Sequence, residues 1–466
     1  MSLGEDKTVG RVSDSVSRLA SELRRYWESA GGQIPSDWSI VPLESLLRDS
    51  KSIAVGVMYP GPDTPSGIPL IKVGDIKDGS IPLKPTYCVS EKTNEEHKRT
   101  QLVGDELLIT LVGNPGECVV VKPSMAGWNP ARAIAVIRLH DPSIRIYLKT
   151  VLESAASRHL IDAVLNTTVQ KTLNLKDIRK LPIPMPPSNT IKNISAIADV
   201  LTNRIALLRE TNATLEAIAQ ALFKSWFVDF DLVHAKQQGR EPEGMDADTA
   251  ALFPDGFEES ELGLVPRGWR IGNLANLAKL NPESWKANKH PDTVAYIDLA
   301  NTKDNEIAAI IDYQFDEAPS RARRSLSNGD TIIGTVRPGN RSFAFIHGAT
   351  SNLTASTGFA VLRPKTSQNT EFVYLAATQD SSIEYLAHVA DGGAYPAVRP
   401  EVVSGIQCVL PSNEIMQAFH GITSELLISI VENQQQAQTL TSLRDTLLPR
   451  LISGHLRLPD AEEAAA

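Results

Sequence analysis

The sequence predicts an α/β fold of the α+β type, with two globular mixed α/β domains separated by two long antiparallel coiled-coil-like helices. Two observations predict it. The first is an internal pseudo-two-fold repeat with a period of about 225 residues. The second is the order within each copy, where short β-rich runs precede one long amphipathic helix.

The two copies match at several places along the chain. The segment IPSDWSIVPLESLL at 34–47 recurs as VPRGWRIGNLANLA at 265–278, so that Trp38 and Trp269 lie 231 residues apart. Asp105 and Asp330 are 225 residues apart, and PPSNTI at 186–191 matches LPSNEI at 410–415 with an offset of 224. A period this long is typical of a duplicated domain, because solenoid repeats are much shorter.

The first part of each copy contains short runs rich in β-branched residues and punctuated by Gly and Pro, as strands are. These runs are Leu107–Val112, Cys118–Val121 and Ala133–Leu139 in the first copy, and Asp330–Val336, Phe343–Ile346 and Gly358–Leu362 in the second. The proline-rich stop LPIPMPPSN then opens a long helix, which Ser188 or Asn189 can cap.

Each long helix shows a seven-residue apolar repeat that predicts a seam for a facing helix. The seam residues are Ile194, Leu201, Ile205, Leu208, Leu215 and Leu222 in the first copy, and Leu426, Ile430, Leu440 and Leu447 in the second. Asn212 is the polar residue expected inside the seam. Two interpretations remain open at this point. The helices pack against each other as an antiparallel rod, or each lies on its own domain.

Composition limits the class of protein. The chain has 466 residues, enough for two or three domains, and 42% of them are hydrophobic. Its net charge of −9 argues against a strongly basic nucleic-acid binder. However, residues 238–262 hold eight acidic side chains against one arginine, and 460–466 hold three more acidic ones. Removing these −7 and −3 charges leaves about +1 for the rest, so a locally basic face is compatible with the sequence.

Two further features indicate a cytoplasmic protein. No apolar run approaches the roughly 18 residues that a membrane span needs, and the N-terminus does not resemble a signal peptide. The three cysteines are far apart and lack metal-ligand spacing. Free thiols of this kind are usual in a reducing cytoplasm, and no metal site is expected.

At this point the chain resembles a known family. The run LRDTLLPRLISGHL at 443–456 is similar to the C-terminal signature of type I restriction-modification specificity subunits, and ALFKSWFVDFD at 221–231 is similar to their central conserved region. The Ile-Pro-x-x-Trp and Val-Pro-x-x-Trp openings resemble the starts of their two target-recognition domains. The resemblance runs from about Ile34 to Leu458, in the right order and twice.

The repeat and the resemblance together divide the chain into seven segments. They are an N-terminal helical extension (1–33), target-recognition domain 1 (34–187), a central conserved helical region (188–232), an acidic linker (233–263), target-recognition domain 2 (264–410), a distal conserved helical region (411–456) and an acidic tail (457–466). The extension and the linker are additions to the family pattern.

The resemblance also implies a function and partners. Each target-recognition domain reads one half of a bipartite asymmetric site on double-stranded DNA, and the helices set the spacer. Two methyltransferase (modification) subunits and restriction/translocase subunits dock on the helices, in the cytoplasm of a bacterium or archaeon and without any membrane partner. S-adenosylmethionine, ATP and Mg are expected only in those partner subunits.

Motifs for catalysis are absent from the sequence, which favours a non-catalytic chain. The nearest string to an adenine-methyltransferase loop, Asn129-Pro130-Ala131-Arg132, lacks the second proline and the aromatic residue that stacks a flipped base. There is no Gly-x-x-x-x-Gly-Lys-Ser/Thr phosphate loop.

Candidate DNA-binding residues are cations, amides and one aromatic in the polar loops of both copies. They are Lys92, Lys98, Arg99, Asn114 and Gln170 in the first copy, and Arg321, Arg323, Arg324, Arg337, Asn340, Arg341 and Tyr395 in the second. The alternatives are a solvated loop for each basic cluster and an ordinary hairpin for each turn. Asn114 and Asn340 occupy matching turns, which also suggests a shared tolerance of left-handed φ. Trp38 and Trp269 are interpreted as core anchors rather than stacking platforms.

Two other functions stay open on the sequence. One is a protein–protein scaffold of duplicated β/helix modules that does not bind DNA, which the acidic net charge favours. The other is a stand-alone enzyme with an unrecognised site.

Overall fold

A computed structural model describes residues 6–76, 79–81, 86–165, 171–240, 245–261, 263–393 and 395–457, with the side chains of 6–16 left out. The chain forms two compact units. Unit 1 comprises Met1–Leu207 and Gln436–Ala466, and unit 2 comprises Leu208–Gln435. Each long helix therefore contributes one half to each unit.

Unit 1 holds the first copy of the repeat. Its strands are β1 (Ser39–Pro42), β2 (Ile53–Val55), β3 (Ile68–Ile71), β4 (Cys88–Val89), β5 (Leu107–Thr110), β6 (Cys118–Val120), β7 (Asn129–Pro130), β8 (Ile134–Ile137) and β9 (Pro182–Met185). Its helices are α1 (Asp6–Ser29), α2 (Glu91–Glu96), α3 (Arg145–Leu152), α4 (Ala155–Val164), α5 (Leu175–Arg179) and the first half of α6 (Ser188–Phe227).

Unit 2 holds the second copy. Its helices are the second half of α6, α7 (Asp231–Gln237), α8 (Ala247–Leu252), α9 (Leu274–Leu277), α10 (Thr370–Thr378), α11 (Asp380–His388), α12 (Pro400–Ser404) and the first half of α13 (Asn413–Ile452). Its strands are β10 (Phe257–Ser260), β11 (Gly263–Pro266), β12 (Arg270–Asn273), β13 (Ala278–Leu280), β14 (Thr293–Ile297), β15 (Thr302–Lys303), β16 (Glu306–Ile307), β17 (Ile311–Gln314), β18 (Ala322–Ser325), β19 (Thr331–Gly334), β20 (Phe343–Phe345), β21 (Leu353–Ser356), β22 (Phe359–Pro364) and β23 (Gln407–Leu410).

The same sheet topology occurs in both units. A four-stranded antiparallel sheet has the order β2-β8-β5-β6 in unit 1 and β13-β22-β19-β20 in unit 2. A second sheet contains one parallel pair, β3 with β7 in unit 1 and β14 with β21 in unit 2. A separate antiparallel pair, β1 with β9 and β12 with β23, precedes each long helix. The predicted fold class, with its internal repeat, is confirmed.

The core of each unit lies between the four-stranded sheet and its helices. In unit 1, Ile109 and Ile137 of the sheet pack with Tyr147 and Leu148 of α3. In unit 2, Ile333 and Leu362 occupy the equivalent place, and α10 is buried throughout. Trp38 and Trp269 are both buried, as expected for core anchors.

Two segments outside the repeat pack on the units. In the N-terminal extension, Leu23 and Trp27 of α1 join the core of unit 1. The segment predicted as an acidic linker differs from that prediction, because it is folded onto unit 2. Phe253 lies in the core of unit 2, and the Lys236 ammonium donates to the Ala250 carbonyl at 3.0 Å. Apolar residues between the acidic ones account for this packing. The acidic tail from 458 onward lies outside the described residues.

The two long helices pair in an antiparallel manner within unit 2. The Asn212 side chain of α6 donates to the Ile430 carbonyl of α13 at 3.0 Å and accepts from the Asn433 amide at 2.9 Å. Further along α6, Phe227 contacts Phe419 with ring centroids 4.9 Å apart. Residue numbers increase along α6 in the direction in which they decrease along α13, so the two helices run in opposite directions.

The seam residues lie at the following depths. Ile194, Leu201 and Ile205 are buried in unit 1, where Ile194 shares a core with Leu451 and Ile452 of α13. Leu208 and Ile430 are buried in unit 2. Half-buried positions are Leu215, Leu222, Leu426, Leu440 and Leu447. In α13, Leu427 is more deeply buried than Leu426. Leu427 belongs to the same buried core as Phe419, and Leu426 packs at the edge of that core.

Candidate nucleic-acid interface

The turn between β19 and β20 carries two candidate arginines in left-handed conformations. It forms a short 3₁₀ turn at Pro338–Asn340, flanked by Arg337 with φ of 48° and Arg341 with φ of 60°. In unit 1 the matching turn has its positive φ angles at Gly113 and Gly116. The suggestion that Asn114 and Asn340 share a left-handed φ is therefore wrong, because the residues flanking them adopt it.

A second loop, 391–397, lies beside this turn and carries Tyr395. The Arg337 N–H donates to the Pro396 carbonyl at 2.7 Å, and Val336 forms a β-bridge with Ala397. The Arg337 guanidinium lies over the Tyr395 ring, 4.7 Å from its centroid. Tyr395 is 70% exposed. The two loops thus present a cation and an aromatic face together at the surface.

Arg341 has a different environment from Arg337. Its guanidinium forms ion pairs with Asp304 and with Asp380, the latter at 2.7 Å. These hydrogen bonds raise the pKa of Arg341 despite its partial burial. Arg341 therefore links the turn to the β15–β16 loop and to α11. Asn340 at the tip of the turn is exposed.

The cluster at 321–324 is divided between several environments. Arg321 is exposed, whereas Arg323 lies over the Phe315 ring at 4.7 Å and donates to the Ala322 carbonyl. Arg324 is partly buried beside Ser284, at 3.3 Å, and burial lowers its pKa. An irregularity in the register interrupts β18 between Ala322 and Arg324, and the three cations differ in exposure and in partners.

The candidates of unit 1 are exposed and distributed over two places. Lys92 lies on the short helix α2, and Lys98 and Arg99 follow it. Arg99 also donates to the Lys51 carbonyl at 3.1 Å. Asn114 lies at the β5–β6 turn, where its amide donates to Glu117 at 3.3 Å. Gln170, the sequence counterpart of Tyr395, lies outside the described residues.

Sequence reasoning missed the buried ion pair that fixes the strand before each turn. In unit 2, Arg363 donates to both carboxylate oxygens of Asp330, at 2.8 and 2.9 Å. In unit 1, Arg138 donates to Glu106 at 3.2 Å. The counterpart of Asp330 is therefore Glu106 rather than Asp105. The sequence did contain a signal for this pair. In each copy an acidic residue comes directly before an apolar strand, and an arginine lies near the end of a later strand.

The short hairpin β15–β16 was also not predicted. Its tip residues Asp304 and Asn305 have φ angles of 47° and 63°, the pattern of a type I′ turn. The Asp304 carboxylate binds Arg341, and Asn305 receives a hydrogen bond from Gln434 of α13 at 2.8 Å. The hairpin therefore connects the candidate interface turn to a long helix within unit 2.

In the part of the chain that the structure describes, no group of three or more His, Cys, Asp and Glu side chains could hold a metal ion. Within the same ranges, no helix is long and apolar enough to cross a membrane.

Comparison with known proteins shows what this chain is similar to. Residues 62–217 match the family model for the type I restriction modification DNA specificity domain. The type I restriction enzyme HindI specificity subunit of Haemophilus influenzae is 28% identical over 339 residues, which cover 61% of this chain and 71% of that protein. The EcoBI specificity subunit of Escherichia coli is 30% identical over 201 residues, 40% of this chain and 42% of that protein.

This chain is similar to type I restriction-modification specificity subunits. A more distant specificity subunit, MjaIX of Methanocaldococcus jannaschii, is similar over 93% of this chain and 97% of its own length, at 20% identity. The resemblance stated from the sequence motifs is thereby confirmed.

One solved structure matches most of this chain at low similarity. It is the S subunit of the type I restriction-modification system from M. genitalium, at a TM-score of 0.49 and 15% identity, covering 89% of this chain and 96% of that one. The HsdS subunit from Thermoanaerobacter tengcongensis has a TM-score of 0.31, with 91% of this chain and 98% of that one covered.

Proposed function

We propose that this specificity subunit reads a bipartite, asymmetric site on double-stranded DNA, with one half-site for each unit. The observation that carries the proposal is the pair of equivalent loops with unlike side chains. Unit 1 places Gly113 where unit 2 places Arg337, although the strands around them correspond. Two copies of one scaffold with different loop residues favour two different half-sites. Fusing them in one chain makes the second contact intramolecular and raises its effective concentration.

The long helices are proposed to set the spacer and to bind partner subunits. A helix of 40 residues such as α6 is about 60 Å long at about 1.5 Å per residue. Several large apolar side chains on α6 and α13 are exposed, which supports docking of other proteins. They are Val200, Leu207, Ile218, Ile422, Ile428 and Leu443. The proposed occupants are two methyltransferase subunits, through which restriction/translocase subunits join.

The chain is proposed to be non-catalytic and to act in the cytoplasm. S-adenosylmethionine, ATP and Mg are then bound by the partner subunits, and no membrane partner is involved. The net charge of −9 supports weak DNA binding by this chain alone and tight binding once the methyltransferase subunits add cations.

Footprinting on DNA tests this function. The full chain with its methyltransferase subunits is expected to protect two short blocks separated by a gap that tolerates any sequence. Binding should also weaken steeply as salt rises, because phosphate contacts release counterions. A shallow salt dependence with no protected block would favour a scaffold that does not bind DNA.

A further inference from the structure

We infer that Arg337, whose guanidinium lies over the Tyr395 ring, is a specificity-determining residue with which unit 2 reads a guanine in the major groove. The inference rests on the proposed DNA-reading function and adds the residue and the base. It starts from the contrast between two arginines that flank the same three-residue turn.

The two loops that carry Arg337 and Tyr395 are fixed to each other by backbone hydrogen bonds. Besides the Arg337 N–H to Pro396 bond at 2.7 Å, the Val398 N–H donates to the Thr335 carbonyl at 2.9 Å. The 391–397 loop is itself closed by reciprocal bonds between Asp391 and Ala397, at 2.8 and 3.0 Å. Backbone hydrogen bonds between the two loops therefore fix the positions from which the Arg337 and Tyr395 side chains extend.

The two arginines that flank the turn differ in exposure and in the groups that they contact. Arg341 is half-buried and its guanidinium lies between the carboxylates of Asp304 and Asp380. Arg337 is exposed and its guanidinium lies over an exposed aromatic ring, 4.7 Å from its centroid. Arg341 is thus the positioning residue and Arg337 the residue presented at the surface.

Backbone conformation supports a functional reason for an arginine at this position. Both arginines adopt the left-handed region, which strains any residue with a Cβ. Unit 1 has glycine at both equivalent positions, Gly113 and Gly116, where the same φ carries no strain. A strained residue at an exposed site persists where its side chain is used.

The chemistry of the pair matches guanine. Arginine binds the O6 and N7 atoms of guanine through two parallel hydrogen bonds in the major groove, and this is the commonest specific contact between protein and DNA. A guanidinium already oriented by a ring loses less freedom on forming those bonds. Unit 1, with no side chain at Gly113, lacks this contact and should read its half-site in another way.

Selection from a DNA library by the full chain with its methyltransferase subunits tests the inference. The wild type should select guanine at one defined position of one half-site. Arg337→Lys keeps the charge but loses the planar fork, and should reduce the preference for guanine there by about 5- to 100-fold. Tyr395→Leu should reduce it less, and Tyr395→Phe, which keeps the ring, should leave it close to wild type. Arg267→Lys, the same exchange at an exposed site outside the two loops, is the matched control.

The outcomes separate this inference from the proposed function. If Arg337→Lys lowers affinity equally for all sequences, or leaves the selected motif unchanged, the residue does not read a base and the inference fails while bipartite recognition stands. If the wild type selects no two-part motif, the proposed function itself fails. Thermal unfolding of each variant, compared with wild type, shows that a lost preference does not arise from a misfolded unit.

Discussion

At the scale of single residues, each unit is stabilised by one carboxylate buried in its four-stranded sheet. The Asp330 carboxylate is inaccessible to solvent, binds Arg363 through two oxygens and accepts the Ser327 N–H at 2.8 Å. In unit 1 the inaccessible Glu106 carboxylate binds Arg138 and accepts the N–H groups of the turn before its own strand. A buried charge is tolerated because every oxygen has donors.

Removing the arginine from such a pair is expected to destabilise the unit strongly. Arg363→Ala leaves the Asp330 carboxylate buried without its cation, and the free energy of unfolding should fall by about 3–5 kcal/mol. Denaturant unfolding followed by circular dichroism measures this change. Arg267→Ala, which removes an arginine from an exposed pair with Asp255, should cost less than about 1 kcal/mol. Equal losses in the two variants would contradict the role given to the buried pair.

A half-buried carboxylate, Glu216 of α6, makes the stability of unit 2 depend on pH. Tyr374 donates to it at 2.8 Å, and burial raises its pKa above the ordinary value of 4.5. An acid whose pKa is raised on folding contributes stability below its ordinary pKa, and this stability is lost as the pH rises through the raised value. Wild type should therefore lose stability relative to Glu216→Gln as the pH rises from about 4.5. Parallel pH profiles of the two proteins would show that Glu216 does not titrate in this way.

At the scale of elements, the hairpin β15–β16 ties the candidate interface turn to both long helices within unit 2. Asn305 donates to Glu216 of α6 at 3.5 Å, accepts from Gln434 of α13 at 2.8 Å, and accepts the Phe345 N–H of β20 at 2.9 Å. Its neighbour Asp304 binds Arg341 of the turn. Asp304 and Asn305 therefore connect the turn to both helices through hydrogen bonds and an ion pair.

Substitutions of Asn305 test the hairpin. Asn305→Ala loses the side-chain hydrogen bonds and also strains a left-handed position, so it should lower the free energy of unfolding by about 2 kcal/mol or more. Asn305→Gly loses the same hydrogen bonds without the backbone strain, and should be the more stable of the two by about 1 kcal/mol. Urea unfolding compares the pair. An alanine variant as stable as the glycine variant would contradict the left-handed turn.

Some of these elements could be predicted from the sequence alone and others could not. The duplication, the strand runs and the long helices were predictable because apolar periodicity and an offset near 225 are local properties of the chain. The hairpin at 302–307 was not, because a type I′ turn built from Asp304-Asn305 has a weak signal without glycine. The packing of Phe253 escaped notice because eight acidic residues around it dominate the composition of its segment.

The candidate site was less predictable than the fold for a related reason. The sequence indicated Arg337, Arg341 and Tyr395 as separate candidates, yet it could not show that Arg341 is paired with two carboxylates while Arg337 lies over the ring. Those partners lie 37 to 58 residues away along the chain. Which of two similar side chains is presented to solvent depends on such distant contacts.

At the scale of the whole molecule, the proposed spacer role of the helices predicts that helix length controls the gap between half-sites. Seven residues added between Asn212 and Ala213, with seven more between Glu432 and Asn433, keep the heptad phase and the Asn212–Asn433 bond. Each helix grows by about 10 Å, or about three base pairs of duplex. The preferred gap, measured by methylation of a set of spacer-length substrates, should lengthen accordingly.

The control for that experiment is a seven-residue insertion after Gly239, in a turn outside both helices. It should leave the preferred gap unchanged. A gap that does not respond to lengthening of both helices would mean that something other than these helices sets the spacing.

The most direct test of the central claim is a genome-wide map of methylated bases in cells that carry this chain with its methyltransferase subunits. Two unlike short motifs at a constant separation, with any sequence between them, are the result that two differently equipped units predict. A single continuous motif, or two identical half-sites, would contradict the account.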